Sequence, residues 1–315
     1  MNVFSYFSGD LVIMSDFAET FEYVCRDCPR QCGVIRNTEK RNGYCRSYSL
    51  PSVVRAAPHF GEEPCISGTR GSGAVFFSGC SLGCVYCQNR EISRGACGKT
   101  VNPKELGDII LRLADKGVHN INLVTAAHFT RTVAKALEMI KLDIPVVWNS
   151  SGYESADTLK MLEGLVQIYM PDIKYLRPDL SLRYSAAKDY PEAVRKAVAE
   201  MFRQTGRYIL DDDGIMKRGL LIRHLMLPGS DLNTMDVIDF VSESFPEDSV
   251  LFSLMSQYTP IPGLSGFPEL ENGIDADMND RMCSYLRKSR IATGYWQETA
   301  SATEELLPSF DLTGV

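Results

Sequence analysis

Three cysteines at the spacing C-x3-C-x2-C carry the first chemical signal: Cys80, Cys84 and Cys87, within Gly79-Cys80-Ser81-Leu82-Gly83-Cys84-Val85-Tyr86-Cys87-Gln88-Asn89. Spacings this short, in a loop after an apolar strand-like run, let three thiolates point at one iron–sulfur cube. Three ligands for four irons leave one iron open to another molecule. A structural zinc wants four ligands, and the next cysteine, Cys97, follows only ten residues later. Iron–sulfur is the favoured reading over zinc or free thiols.

A second set, Cys25, Cys28, Cys32 and Cys45, gives four thiolates over 21 residues. Four are enough to close a tetrahedral zinc site or to ligate a second [4Fe–4S] cluster completely. Pro29 suits a cluster-binding loop, and only one C-x2-C knuckle is present where zinc ribbons show two. The reading leans to iron–sulfur, with zinc as the alternative. Cys65, Cys97 and Cys283 stand alone and read as inert or structural.

These side chains need a scaffold. Residues 21–70 are rich in Cys, Gly, Pro and Arg and read as a small metal-binding module. From residue 73, apolar runs of strand length (74–77, 121–124, 145–148, 166–169, 220–227, 250–254) alternate with helical stretches (104–116, 130–141, 156–163, 192–204, 234–244). Such alternation predicts βαβ units and a parallel sheet covered by helices. Six strands suit a partial (β/α)6 barrel in the α/β class, with chemistry at the strands' C-terminal ends, where Cys80 falls. The expected organisation is a tail (1–20), the cysteine-rich module (21–70), the core (71–263) and a C-terminal extension (264–315) holding a helix near 277–289.

Composition narrows the function. A formal net charge of −7 over 315 residues, with no basic stripe, excludes a generic nucleic-acid binder. No run approaches the ~20 apolar residues of a membrane span. Ten cysteines without a secretory signature point to metal ligands and free thiols in a reducing, cytoplasmic setting.

The cysteine loop, with the aromatic Tyr86 before its last cysteine, resembles the signature of radical S-adenosylmethionine (SAM) enzymes. More widely, the chain resembles their pyruvate formate-lyase activating-enzyme branch, and within it the uncharacterised PflX-type homologues. The likeness is carried by Gly61-Glu62-Glu63-Pro64-Cys65-Ile66-Ser67-Gly68, by Tyr169-Met170-Pro171-Asp172-Ile173-Lys174-Tyr175, by Ser256-Gln257-Tyr258-Thr259-Pro260 and by the N-terminal cysteines. It implies a catalytic [4Fe–4S] cluster whose open iron holds SAM. It also implies reductive cleavage to a 5′-deoxyadenosyl radical, and hydrogen abstraction from a glycyl-radical-enzyme partner. The electron donor would be a flavodoxin or ferredoxin. Modification of another peptide or small molecule is the second reading, and a non-catalytic metal scaffold or electron carrier the third.

Carried over residue by residue, Asp172 and Lys174 form the Asp-x-Lys at the SAM site, and Arg223 resembles the family's basic residue near SAM. Asn149 and Ser150 stand where those enzymes have Asp-Thr, so the cation site built on that aspartate is not implied here. Thr125-Ala126-Ala127-His128 replaces the usual Gly-Gly-Glu, leaving Thr125 or Asn122 to help receive the SAM amino group. His128, Gln257 and Tyr258 are the candidates for facing substrate.

Overall fold

The computed structural model describes residues 21–95, 97–297 and 308–315. The tail assigned to 1–20 lies outside them. A two-stranded antiparallel hairpin, β1 (Tyr23–Val24) and β2 (Ile35–Arg36), opens the described chain. Then come β3 (Ser52–His59), the short α1 (Pro64–Ser67), β4 (Ser72–Phe77), α2 (Arg90–Arg94) and β5 (Lys99–Thr100). The alternating part follows: α3 (Pro103–Ala114), β6 (Ile121–Val124), α4 (Thr130–Glu138), β7 (Val146–Ser150), α5 (Ala156–Leu159), β8 (Ile168–Pro171), α6 (Pro178–Ser185) and α7 (Tyr190–Thr205). The chain continues through β9 (Ile209–Leu210), β10 (Met216–Leu225), α8 (Asp231–Ser244), β11 (Leu251–Met255), α9 (Ala276–Leu286) and β12 (Gly294–Trp296).

One ten-stranded sheet runs β12-β11-β10-β8-β7-β6-β4-β3-β5, with β9 on β10. Every pairing from β4 to β12 along it is parallel, while β3 runs antiparallel to β4. The six expected strands are β4, β6, β7, β8, β10 and β11. Their sequences are short apolar runs because both faces are covered: all six residues of β4 and all four of β6 are buried. Helix α3 shows how the covering forms. Asn102 caps it, Glu105 returns the bond in a capping box, and Pro103 occupies the first turn. Leu106, Ile109, Ile110 and Leu113 then fall on one face and are buried.

Strand β3 lies in the segment that the sequence assigned to the cysteine-rich module, yet it hydrogen-bonds into the main sheet. Its Pro58 is tolerated because β5 pairs only with Ser52 and Val53 and residues 312–313 bond only to Val54 and Ala56, which leaves the Pro58 end of β3 an edge. Among the described residues no helix is long and apolar enough to cross a membrane.

Candidate active site

The cysteine loop leaves β4 after Phe77 and turns at Gly79, whose φ of +90° lies in the region glycine favours. A Cβ there would stand 2.6 Å from Cys45 O and 2.4 Å from Ser47 Oγ, so the loop passes directly against the N-terminal segment. Gly83 makes a second such turn at φ +67°, and Arg94 Nη2 donates to its carbonyl at 2.6 Å. Cys80 Sγ accepts from Gly83 N at 3.4 Å and Cys84 Sγ from Ser185 Oγ at 3.2 Å. Beneath them Tyr86 meets Tyr175, Tyr184 and Tyr258 edge-on, and Tyr175 donates to the Tyr86 hydroxyl at 2.7 Å.

Cys80, Cys84 and Cys87 open into one cleft of ≈ 250 Å³ at the C-terminal ends of the parallel strands. The sheet register brings polar side chains to the same place. A backbone bridge sets Asp172 beside Arg223 just past β8, and Asp172 N bonds to Ser150 O at 2.8 Å. Arg223 then spreads three ways: Nε to Asp172 Oδ1 at 2.9 Å, Nη1 to Glu62 Oε2 at 2.8 Å and Nη2 to Asn149 Oδ1 at 2.8 Å. Lys174 Nζ holds the other Asp172 oxygen at 2.7 Å. Asn122 and Asn149 both donate to Glu62 Oε1, at 2.9 and 3.1 Å.

The electrostatics follow from burial against pairing. Burial alone would push the Asp172 carboxyl up, but Arg223 and Lys174 outweigh it and hold it below the ordinary range. Burial likewise works against the Lys174 charge, and Asp172 outweighs it, so Lys174 stays protonated. Burial pushes Glu63 up against the pull of Arg223, whose Nη1 lies 3.8 Å from an oxygen without a hydrogen-bond partner. Beneath Ser150, burial raises Glu154 to about 7, although Ser150 and Trp148 donate to it.

Tyr86, Asn149, Ser150, Asp172, Lys174, Arg223, Gln257 and Tyr258 all line this cleft with the three cysteines. Thr125 lines it too, at a φ of +61° that is strained for a β-branched residue. His128 is not among the lining residues. It faces instead the small cavity that Cys25, Cys28, Cys32 and Cys45 share. There Nε2 donates to Ser78 O at 2.9 Å, and burial with the Arg36 charge pushes the imidazole down to about 3. Sequence reasoning missed Glu62 as a site residue, although Gly61-Glu62-Glu63-Pro64 offered the signal of paired acids just before a helix-starting proline.

The donor set suits the group the loop spacing implies. Three cysteines line the cleft with no fourth, which leaves a cluster iron open. Burial and the neighbouring sulfurs push Cys80 up to about 11, so metal binding there would release protons. Lys174 has one of its three donors on Asp172, leaving others for a ligand carboxylate. Among the described residues no three His, Cys, Asp or Glu side chains are already drawn in around a single-ion site.

A three-cysteine loop at the mouth of a mostly parallel sheet is the arrangement that an iron–sulfur α/β enzyme requires. The Radical SAM superfamily profile matches residues 74–241, more than half of the chain, and the chain belongs to that superfamily. Its members use a [4Fe–4S] cluster and SAM. Uncharacterized protein MJ0674 of Methanocaldococcus jannaschii is 30% identical over 281 residues, covering 85% of this chain and 75% of that protein. Among solved structures, SuiB of Streptococcus suis aligns at 14% identity with a TM-score of 0.46 over 72% of this chain. The chain spans about half the length of SuiB, 49%. Dihydropteroate synthase of Xanthomonas albilineans, at 14% identity and a TM-score of 0.26 over 65% of this chain and 82% of that one, is more distant.

Proposed function

We propose that this protein reductively cleaves SAM and uses the resulting 5′-deoxyadenosyl radical to abstract hydrogen from a backbone glycine of a partner protein, as a glycyl-radical activase. The observation that carries the reading is one cleft that collects Cys80, Cys84 and Cys87 with the Asp172–Lys174–Arg223–Glu62 network. The bound cluster and SAM supply the one-electron chemistry; the chain's residues orient and enclose. Lys174 holds a positive charge toward the methionyl carboxylate. Glu62, fixed by Asn122, Asn149 and Arg223, supplies the carboxylate that the end of β6 lacks. Gln257 and Tyr258 line the same cleft and are read as the residues that meet substrate. The sheet carrying this cleft is read as a partial barrel of the radical SAM type. All ten cysteines are free, which suits a reducing, cytoplasmic compartment with a flavodoxin or ferredoxin as donor.

The test is anaerobic reconstitution and reduction with dithionite, with deoxyadenosine measured by chromatography for wild type and Cys84→Ala. Wild type alone should release deoxyadenosine, and a co-purified partner should acquire a glycyl-radical EPR signal. Deoxyadenosine formed equally by Cys84→Ala would sink the cluster assignment. Transfer of label from a small molecule or another peptide, with no radical on a partner, would replace the activase by that chemistry.

A further inference from the structure

Arg36 is fully buried, at 0% exposure, and its contacts do not balance its charge. The guanidinium donates to the His128 and Tyr48 carbonyls and, at 3.3 Å, to the Tyr23 hydroxyl, all neutral acceptors. Its Nε has no hydrogen-bond partner. The neighbouring acid, Asp27, is committed to Arg131 at 2.9 Å and to Tyr23 at 2.9 Å. A buried cation favours an anion beside it, and the Cys25 side chain is already within its reach.

Arg36 lines the same enclosed cavity as Cys25, Cys28, Cys32 and Cys45. Gly43, at φ +75°, packs against two of the sulfurs: a Cβ there would lie 3.3 Å from Val34 Cγ2, 3.4 Å from Cys32 Sγ and 3.9 Å from Cys45 Sγ. Cysteines bind a metal as anionic thiolates. The cavity as it stands is small, ≈ 10 Å³, and a metal centre held by its four cysteines would supply the negative charge that balances Arg36.

We propose that Cys25, Cys28, Cys32 and Cys45 hold a second, fully ligated iron–sulfur centre, with Arg36 as its buried counter-cation. Its position suits a redox centre. Arg30, between Cys28 and Cys32, donates to Ser81 O at 3.0 Å and Leu82 O at 3.2 Å, both inside the catalytic cysteine loop. Ser81 itself lines the four-cysteine cavity. With the two sets in packed contact, one electron from a low-potential protein donor can enter at the four-cysteine centre and leave to the catalytic one, with no atom transferred. This relay role rests on the activity proposed above; the centre and its counter-cation do not.

The experiment uses the full chain, reconstituted anaerobically with iron and sulfide, for wild type, Cys28→Ser, Cys84→Ala, Arg36→Gln and Arg36→Lys. Metal is counted by mass spectrometry and reduced clusters are followed by EPR during a redox titration. Wild type should hold about eight irons, and each cysteine variant about four. Cys28→Ser should keep the EPR signal that SAM perturbs, and Cys84→Ala should lose it. Arg36→Gln should lower the potential of the signal that SAM leaves unchanged, and Arg36→Lys should restore it. If Arg36→Gln does not fold, a second signal retained in Arg36→Lys still supports the charge role. One zinc per chain in place of iron, or an iron content that Cys28→Ser leaves unchanged, overturns the proposal. Half the iron lost with unimpaired deoxyadenosine formation from a protein donor overturns the relay. Eight irons without SAM cleavage would support the centre while refuting the activity.

Discussion

Replacing Arg223 by Met removes the hub of the polar network while keeping much of the side-chain bulk. Its three charge-assisted contacts, at 2.8 to 2.9 Å, disappear together. The side chains left behind are enclosed: Glu62 is 9%, Glu63 8% and Asp172 16% exposed, with Lys174 the remaining cation. Removing one partner of a buried ion pair costs about 3–5 kcal/mol, and that is the expected loss for Arg223→Met at pH 7. The abandoned Asp172 and Glu63 carboxylates should then take up protons, so the gap to wild type narrows as pH falls from about 7 to about 5. Glu62→Gln alone should cost about 1–3 kcal/mol, and the double variant less than the sum by about 1–3 kcal/mol, because the two residues share a bond. Arg223→Lys should recover only part, since an ammonium cannot reach three acceptors as a planar fork does. Anaerobic urea unfolding, followed by the fluorescence of the buried Trp148, measures each term. A loss under about 1 kcal/mol, or strict additivity with Glu62→Gln, would refute the network as described.

Glu154 should make stability fall as pH rises. Its folded-state value of about 7 lies above the ordinary 4.5, so its contribution is complete below about 4.5 and is lost by about 7, on the order of 3 kcal/mol in all. Glu154→Gln should flatten that slope in a series of melting temperatures from pH 5 to 8, and parallel curves for the two proteins would contradict the assignment. Gly79→Ala should cost about 2–4 kcal/mol and reduce the iron retained at both cysteine sets, because the new methyl meets Cys45 O at 2.6 Å in a left-handed backbone. Full iron loading with an unchanged urea midpoint would show that the two loops do not press on each other there.

The sequence disclosed what is local. Cysteine spacing marked the catalytic loop, and apolar runs broken by helical stretches marked the parallel strands. Asp172 and Lys174, just past β8, and Arg223, inside β10, were readable through the family resemblance of their motifs. Glu62 was hidden by distance: its partners Asn122, Asn149 and Arg223 lie 60, 87 and 161 residues along the chain. No local pattern encodes such convergence. Strand β3 was masked by Arg55 and Pro58, which an edge position permits and a central one would not. His128 shows the converse limit, since a residue type suited to catalysis sits buried beside Arg36, outside the catalytic cleft.

Arg30 also sets an order in time. It lies over Tyr44 at 3.8 Å and holds the carbonyls of Ser81, Leu82, Ser185 and Ala186. The last of these is made 156 residues after Arg30 itself. A contact this far along the chain closes a long loop, so it forms after the short-range strand and helix contacts. One side chain thereby ties the N-terminal cysteine segment, the catalytic cysteine loop and the end of α6 into a single unit, and a change at Arg30 would be felt at all three.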